Sequence, residues 1–315
     1  MRTSSRQPAS DNSDRIGWTL VLAGGEGTRL ADYVMRRFGR RIPKQYCCLL
    51  GSRSMLQRTL DRLNQLNPPS RTLTVIGSGH GELAMPQLRG LSDHVFCQPS
   101  SRDTGVALYV ALAMIRRWTP SAVVTISPAD HYISPAALYV AQVADAQRAA
   151  ARIRDKIVVL GIKPLAPDLE LGYLVVGRHA EHPKMRHATG FVEKPSAATA
   201  TRLIAEGALW NTMVACGSVD ALWQLGRSTQ PSLMTALDDV VRSIGTTEEA
   251  DAIDHLYRTQ RPINFSRDML EHAAGCLLTY EHEGIEWSDW GRPDRIEKVL
   301  RRRLQPELAR AAGSV

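Results

Sequence analysis

Apolar and polar positions change period repeatedly along the chain. From Ile16 onward, short apolar runs read as buried strands: GWTLVLAG from Gly17, TLTVIGS from Thr72, HVFCQ from His94, AVVTISP from Ala122 and KIVVLGI from Lys156. Between them the period lengthens. Leu56, Leu60, Leu63 and Leu66 fall on one helical face, and the alanine-rich stretches Ala107 to Ile115 and Ala136 to Ala151 predict long helices. Alternation of this kind predicts a mainly parallel mixed sheet flanked by helices on both faces, a doubly wound α/β arrangement. Downstream, GYLVVG, ATGFVEK and WNTMVACG predict further strands, separated by helices at about 197 to 206 and 218 to 259, and a basic helical pattern runs from Asp294 to Arg310.

Residues 1–15 are polar and too poor in apolar side chains to offset the entropy of ordering, which predicts a flexible tail. No repeat or low-complexity linker breaks residues 16–315, so one domain is expected. It divides into a first half at 16–165, a ligand-closing half at 166–300 and a basic helix or tail at 301–315. With 43% hydrophobic residues in 315, the chain can bury a large core. It contains no run of about 18 apolar residues, and its N-terminal stretch lacks the apolar centre of a secretory signal, so a cytoplasmic protein without membrane association is expected. The five cysteines show neither CxxC nor Cys/His ligand spacing, which argues against a zinc site or a disulfide framework. The net charge of +7 comes largely from arginines near the two ends, without an aromatic-studded basic stretch. It therefore points to small polyanions rather than nucleic acid.

The chemistry begins where the first strand runs into Ala23-Gly24-Gly25-Glu26-Gly27-Thr28-Arg29-Leu30. Glycines allow positive φ and close backbone approach, which turns successive N–H groups toward phosphate oxygens, and Arg29 adds a charged fork. An isolated loop of this type is often only a tight turn. The Walker A and dinucleotide patterns both fail, since no GK[ST] follows and Leu30 stands where a third glycine is needed. Thirteen residues beyond Leu30 comes Pro43-Lys44-Gln45, after a strongly basic insert at about 32–41. The pair AGGEGTRL and PKQ, followed by LLGSRSMLQRTLDRL, resembles the signature of mannose-1-phosphate guanylyltransferases within the sugar nucleotidyltransferase family.

The resemblance continues in order along the chain. Gln98 to Gly105 resembles the segment lining the family's base pocket, which implies substrate contacts from Gln98, Thr104 and Gly105 beside Ala23, Gly24, Gly25, Gly27 and Thr28. Pro128-Ala129-Asp130-His131 and Trp287-Ser288-Asp289-Trp290-Gly291 resemble the two elements whose aspartates hold Mg²⁺, so Asp130 and Asp289 are the implied metal ligands. Gly172-Tyr173, Phe191-Val192-Glu193-Lys194-Pro195 and Leu209-Trp210-Asn211 resemble the sugar-phosphate elements, implying Gly172, Glu193, Lys194 and Asn211. Leu174 departs from the family's second glycine, which would narrow a sugar pocket, and Thr212 stands for a serine. The implied fold is Rossmann-like, with a nucleotide-binding half and a sugar-phosphate-binding half. The implied reaction is attack of a sugar 1-phosphate, mannose 1-phosphate, on the α-phosphorus of GTP with release of pyrophosphate. Catalytic roles fall to Arg29, Lys44, Asp130 and Asp289. A single activity is expected, a homodimer is left open, and two alternatives stand beside this reading: a dTTP or UTP enzyme acting on glucose 1-phosphate, and an inactive nucleotide-sugar sensor.

Overall fold

A computed structural model describes residues 16–312, with side chains to Arg303; the expected tail at 1–15 lies outside the described residues. In chain order the elements are β1 (Gly17–Ala23), α1 (Ala31–Phe38), α2 (Met55–Leu63), β2 (Thr72–Ile76), α3 (Gly81–Leu88), β3 (His94–Cys97), α4 (Asp103–Trp118), β4 (Val123–Pro128), β5 (Tyr132–Ser134), α5 (Ala136–Arg152) and β6 (Ile157–Ile162). There follow β7 (Gly172–His179), β8 (Met185–Glu193), α6 (Ala197–Ala205), β9 (Leu209–Ser218), α7 (Val219–Thr229), α8 (Pro231–Ser243), α9 (Glu249–Thr259), α10 (Phe265–Asp268), β10 (Leu277–His282), β11 (Glu286–Ser288) and α11 (Pro293–Ala312).

Nine strands form one sheet in the order β3-β2-β1-β4-β9-β6-β10-β8-β7. From β3 to β4 every pairing is parallel, as the first half of the sequence predicts. The expectation of a mainly parallel sheet does not extend to the second half. There β9 lies antiparallel to β4 and β6, β8 to β10, and β7 to β8, and only β10 beside β6 is parallel. For β7 and β8 the cause is local: they are joined by a short turn, too short for the crossover that parallel neighbours require. β7 also pairs with the start of β9, through Tyr173 with Trp210 and Leu174 with Leu209, so β9, β6, β10, β8 and β7 close into a ring.

Alternate residues of β1 point into different cores, as the two-residue period of a strand demands. Trp18 and Leu20 pack with Val124, Ile126 and helices α4, α7 and α8, whereas Val21 and Ala23 pack with Val123 and helices α2 and α5 on the other face. α4 is wedged between sheet and helices and is buried from Gly105 to Ile115. The stretch expected to be helical from 218 to 259 is three helices, because Pro231 starts a new one and Gly245, at φ 82°, ends the next. The basic insert, for which the sequence offers no structure, is helix α1. Its Tyr33 and Val34 join Leu49, Met55, Trp290, Ile296, Val299 and Leu300 in a third apolar cluster, and Tyr33 Oη donates to Glu297 Oε1 at 2.8 Å. Among the described residues no helix is long and apolar enough to cross a membrane.

Candidate active site

β1 ends at Ala23, and Gly24 to Gly27 carry the chain into a 3-10 turn at Thr28–Leu30. Two of these glycines have separate reasons. A Cβ on Gly24 would stand 2.1 Å from Gln98 Nε2, and Gly27 has φ 64° and a Cβ there would lie 3.0 Å from Lys44 N. The next residue in the chain after Lys44 secures the loop. Buried Gln45 donates through Nε2 to Ala23 O at 2.8 Å and Gly25 O at 2.7 Å, and Tyr46 Oη donates to Ala23 O at 3.2 Å. Because peptide units are planar, fixing these carbonyls also fixes the direction of the neighbouring N–H groups.

A cavity of about 490 Å³ opens beside the loop. Among the expected residues Ala23, Gly24, Gly25, Gln98, Thr104 and Asp130 line it, together with Gln45, Asp103 and Met213, which sequence reasoning did not assign. Gln98 is only 6% exposed; its Oε1 accepts from Tyr257 Oη at 3.4 Å, and its Nε2 makes no hydrogen bond among the described residues. At the start of α4, Thr104 Oγ1 accepts from Phe265 N at 2.9 Å. Asp103 Oδ1 accepts from Thr104 N at 2.6 Å and from Asn264 Nδ2 at 3.2 Å. Gly105 does not line the cavity. Its N–H is given to Ile263 O at 2.7 Å, and a Cβ would lie 2.7 Å from Ile263 Cγ2, so this glycine lets the helix start touch the 262–264 segment.

The charged residues meet beneath the loop. Lys44 is 5% exposed; its Nζ lies 2.8 Å from Asp130 Oδ2 and donates to Asp289 O at 2.5 Å. Burial alone would raise the Asp130 carboxyl pKa, but Lys44, His131 and Arg29 more than offset it and leave it below the usual carboxylate value. Asp289 behaves likewise: burial opposes ionisation, and Arg295, His131 and Lys44 prevail. His131 is held neutral by burial, its pKa pushed down to about 4, and accepts from Trp287 Nε1 at 3.2 Å. Arg29 is more exposed and pairs with Glu170 at 3.6 Å. Two ionised carboxylates are the hard oxygen donors that Mg²⁺ takes, and this ion completes its shell with water and substrate phosphates. Asp130 and Asp289 supply two such donors, set on either side of Lys44 Nζ, which meets Asp130 Oδ2 and Asp289 O, and two carboxylates fit an ion that takes the rest of its shell from water and phosphates.

The remaining expected residues sit on the ring of strands. Gly172 pairs with Glu193 across β7 and β8, and a Cβ there would lie 2.6 Å from Glu193 Oε2. Burial raises the Glu193 carboxyl pKa against the pull of Lys194, with Glu271 and Asp103 adding to the rise. Asn211 is buried, its Oδ1 accepting from Met213 N at 3.0 Å. Leu174 does not wall a sugar pocket: it is fully buried among Phe191 and Leu209, beneath the surface of the ring. Thr212 is spent inside the sheet, donating to Leu160 O at 2.6 Å. None of Gly172, Glu193, Lys194 and Asn211 lines the nucleotide-side cavity, but Met213, which does, donates its N–H to Asn211 Oδ1 at 3.0 Å.

Four non-glycine residues among those described have positive φ: Asp103, Lys194, Met213 and Trp290. All four belong to this site or adjoin it, which is where backbone strain of about 1–3 kcal/mol per residue tends to be held. Sequence reasoning missed Gln45 and Arg295. Gln45 stands within the PKQ motif, and its signal is adjacency to Lys44; Arg295 carries none.

The family described as nucleotidyl transferase matches residues 18–305. A mannose-1-phosphate guanylyltransferase of Salmonella montevideo is 32% identical over 202 residues, 61% of this chain and 41% of that protein. One of Escherichia coli K12 is 27% identical over 290 residues, 87% of this chain and 58% of that protein. The chain thus spans about half the length of the curated relatives it matches. A crystal structure described as a mannose-1-phosphate geranyltransferase from Thermus thermophilus superposes with a TM-score of 0.75 at 27% identity, covering 87% of this chain and 76% of that one. With the family pattern matched from β1 into α11, over a site that gathers glycine loop, lysine and aspartates, this chain belongs to the nucleotidyl transferase family.

Proposed function

We propose that the chain transfers a nucleotidyl group from GTP to mannose 1-phosphate, giving a nucleotide sugar and pyrophosphate. The observation that carries this reading is the convergence on one cavity of the clamped glycine loop, of Gln98, whose Nε2 has no hydrogen-bond partner among the described residues, and of Asp130, which Lys44 holds at 2.8 Å. Its volume lies within the ~300–1,000 Å³ range of small-molecule sites. The choice of mannose 1-phosphate and GTP is supported by the relatives named for that activity and by Leu174, whose burial removes the reason to expect a narrowed sugar pocket.

In this reading the β3-to-β4 region is the doubly wound, Rossmann-like nucleotide half, the strand ring is the sugar-phosphate half, and both act as one domain. The attacking phosphate is already ionised, so no protein nucleophile or general base is needed. The chain's task is positioning and charge stabilisation. Loop amides from Gly24 to Thr28, with Arg29, bind the β and γ phosphates. Lys44 answers the charge that grows around the α-phosphorus, and its burial against Asp130 and Asp289 O fixes its ammonium before substrate arrives. Gln98 Nε2 offers a donor to an acceptor on the base edge, as O6 of guanine is. Glu193 and Asn211 take sugar hydroxyls, and Lys194 takes the sugar phosphate. Asp130 and Asp289 would hold Mg²⁺, which when bound lowers the repulsion between two polyanionic substrates. The test is pyrophosphate release by the pure protein with GTP, UTP, dTTP, ATP and CTP, each against mannose and glucose 1-phosphates. Highest kcat/KM with GTP and mannose 1-phosphate is expected; a preference for dTTP or UTP with glucose 1-phosphate refutes the specificity, and no release with any pair refutes the activity.

A further inference from the structure

Arg295, on the first turns of α11, bonds three carboxylates at once. One guanidinium nitrogen, Nη1, donates to Asp289 Oδ1, while Nη2 donates to Asp168 Oδ2 at 2.5 Å and lies 3.4 Å from Glu170 Oε2. The side chains of Arg295, Asp168 and Asp289 are 16%, 17% and 11% exposed, so these contacts are far better shielded than a surface ion pair. Asp168 is itself held, its backbone N–H donating to Tyr173 Oη at 2.9 Å, and its carboxylate accepts from Glu170 N at 3.0 Å. Glu170 also reaches Arg29 at 3.6 Å.

This arrangement puts a cation on the carboxylate that the proposed function assigns to a metal. A divalent ion reaching Asp289 must displace or share it with Arg295. Ordinarily, taking a carboxylate from a shielded arginine strands a charge, which is costly. Here it does not, because Asp168 and Glu170 remain on the other nitrogen and need not move. Arg295 therefore has a second set of partners already in place.

We propose that Arg295 is a positioning residue that tunes how tightly Asp289 takes a divalent cation, with Asp168 as the partner that lets it release Asp289. The inference rests on the metal assignment above. Two substitutions then act in opposite directions. Arg295→Met removes the resident cation and tightens divalent binding by about tenfold, the scale expected for deleting one nearby charge in a partly shielded site. Asp168→Asn removes the alternative partner, holds Arg295 on Asp289 and weakens divalent binding severalfold. Arg295→Lys keeps the charge but loses the fork that bridges Asp289 and Asp168, and falls between Met and the native residue.

The experiment is Mn²⁺ titration of the full chain with a non-hydrolysable GTP analogue, reading free Mn²⁺ by electron paramagnetic resonance against the same titration of the analogue alone, so that only the protein-dependent loss of signal counts. The Mg²⁺ concentration for half-maximal turnover is the second readout, and thermal melts verify folding. The expected order of Mn²⁺ affinity is Arg295→Met above Arg295→Lys above native above Asp168→Asn. If Arg295→Met does not fold, the order among the other three proteins decides. Native protein that binds Mn²⁺ alongside variants of unchanged or reversed order overturns the inference and leaves the metal assignment standing. Native protein that binds no Mn²⁺ overturns both.

Discussion

Gln45→Met tests whether the glycine loop owes its shape to a side chain outside it. The substitution keeps volume and removes the donor to Ala23 O and Gly25 O. The two carbonyls fare differently. Ala23 O keeps Tyr46 Oη at 3.2 Å, and Gly25 is exposed, so water can reach its oxygen. Neither group is orphaned, so the loss is about 1 kcal/mol for each bond and not the larger cost of a stranded polar group. For 315 residues the unfolding entropy is about 0.65 kcal/mol/K, so ~2 kcal/mol lowers Tm by about 3 °C. The functional effect is proportionally larger. A loop that must be ordered by its ligand draws the same ~2 kcal/mol from binding, raising KM for the nucleotide ten- to thirtyfold while KM for the sugar phosphate stays within about twofold. Calorimetry and initial rates of pyrophosphate release measure the two quantities. The reasoning is refuted if Tm drops as expected but KM for the nucleotide does not move, because Gln45 is then only a packing residue.

Asp130→Asn and Asp289→Asn should each lower kcat at least about a hundredfold with circular dichroism unchanged, and near-native turnover in Mg²⁺ by both contradicts their role. Lys44→Ala should depress kcat more than nucleotide affinity measured by calorimetric titration, since the charge it answers grows during transfer; equal losses mark a ground-state contact. Gly105→Ala drives a methyl group to 2.7 Å from Ile263 Cγ2 and 2.8 Å from its carbonyl oxygen, and should destabilise by about 1–3 kcal/mol in urea unfolding, whereas a neutral result shows that the 262–264 segment gives way. His131 and His282 are buried neutral, each with its pKa pushed down to about 4, so the unfolded chain binds more protons between pH ~6.5 and 4. Stability should be level above pH ~6.5 and fall by up to about 3 kcal/mol per histidine on approaching pH 4; His282→Leu should flatten part of that slope, and a level profile across the window contradicts the assignment.

Elements whose stability is written in local pattern were legible. All eight strands expected from apolar runs form; β1, β2, β4, β6 and β9 are buried nearly throughout, and a strand buried on both faces shows as a continuous apolar run. β10 was missed although LLTYEH is of ordinary strand composition: nothing local marks its start, and its place between β6 and β8 is set by partners more than eighty residues away in sequence. α1 was missed because its mean hydropathy is dominated by arginine, and only the packing of Tyr33 and Val34 on α11 gives it an apolar face to bury. At the site, motif residues on one segment, such as Gly24, Gly25 and Asp130, which line the cavity, could be named in advance. Leu174 could not be placed, since whether a strand residue faces a ligand or a core depends on the closure of the ring. Arg295 was invisible for a related reason. Its partners Asp168, Glu170 and Asp289 come from distant segments, and an arginine on a helix rich in basic residues looks like solvated surface until those segments meet.

The position of β9 governs the order in which a growing chain acquires its structure. This strand, Leu209–Ser218, separates β4 from β6 and also seals β7 against the ring, so it has neighbours synthesised well before it on three sides. While residues up to about 208 emerge, β4 and β6 each present an open strand edge to solvent, and such edges pair readily with other chains. β6 stays half-paired until β10 arrives at residues 277–282. Contacts this distant in sequence fold slowly, and partly made sheets are the species on which aggregation acts. A pause between β6 and β9 should therefore be more damaging than one within α7 to α9, when β4 is already covered and β6 has one neighbour, and the yield of soluble protein should depend on translation speed through that window.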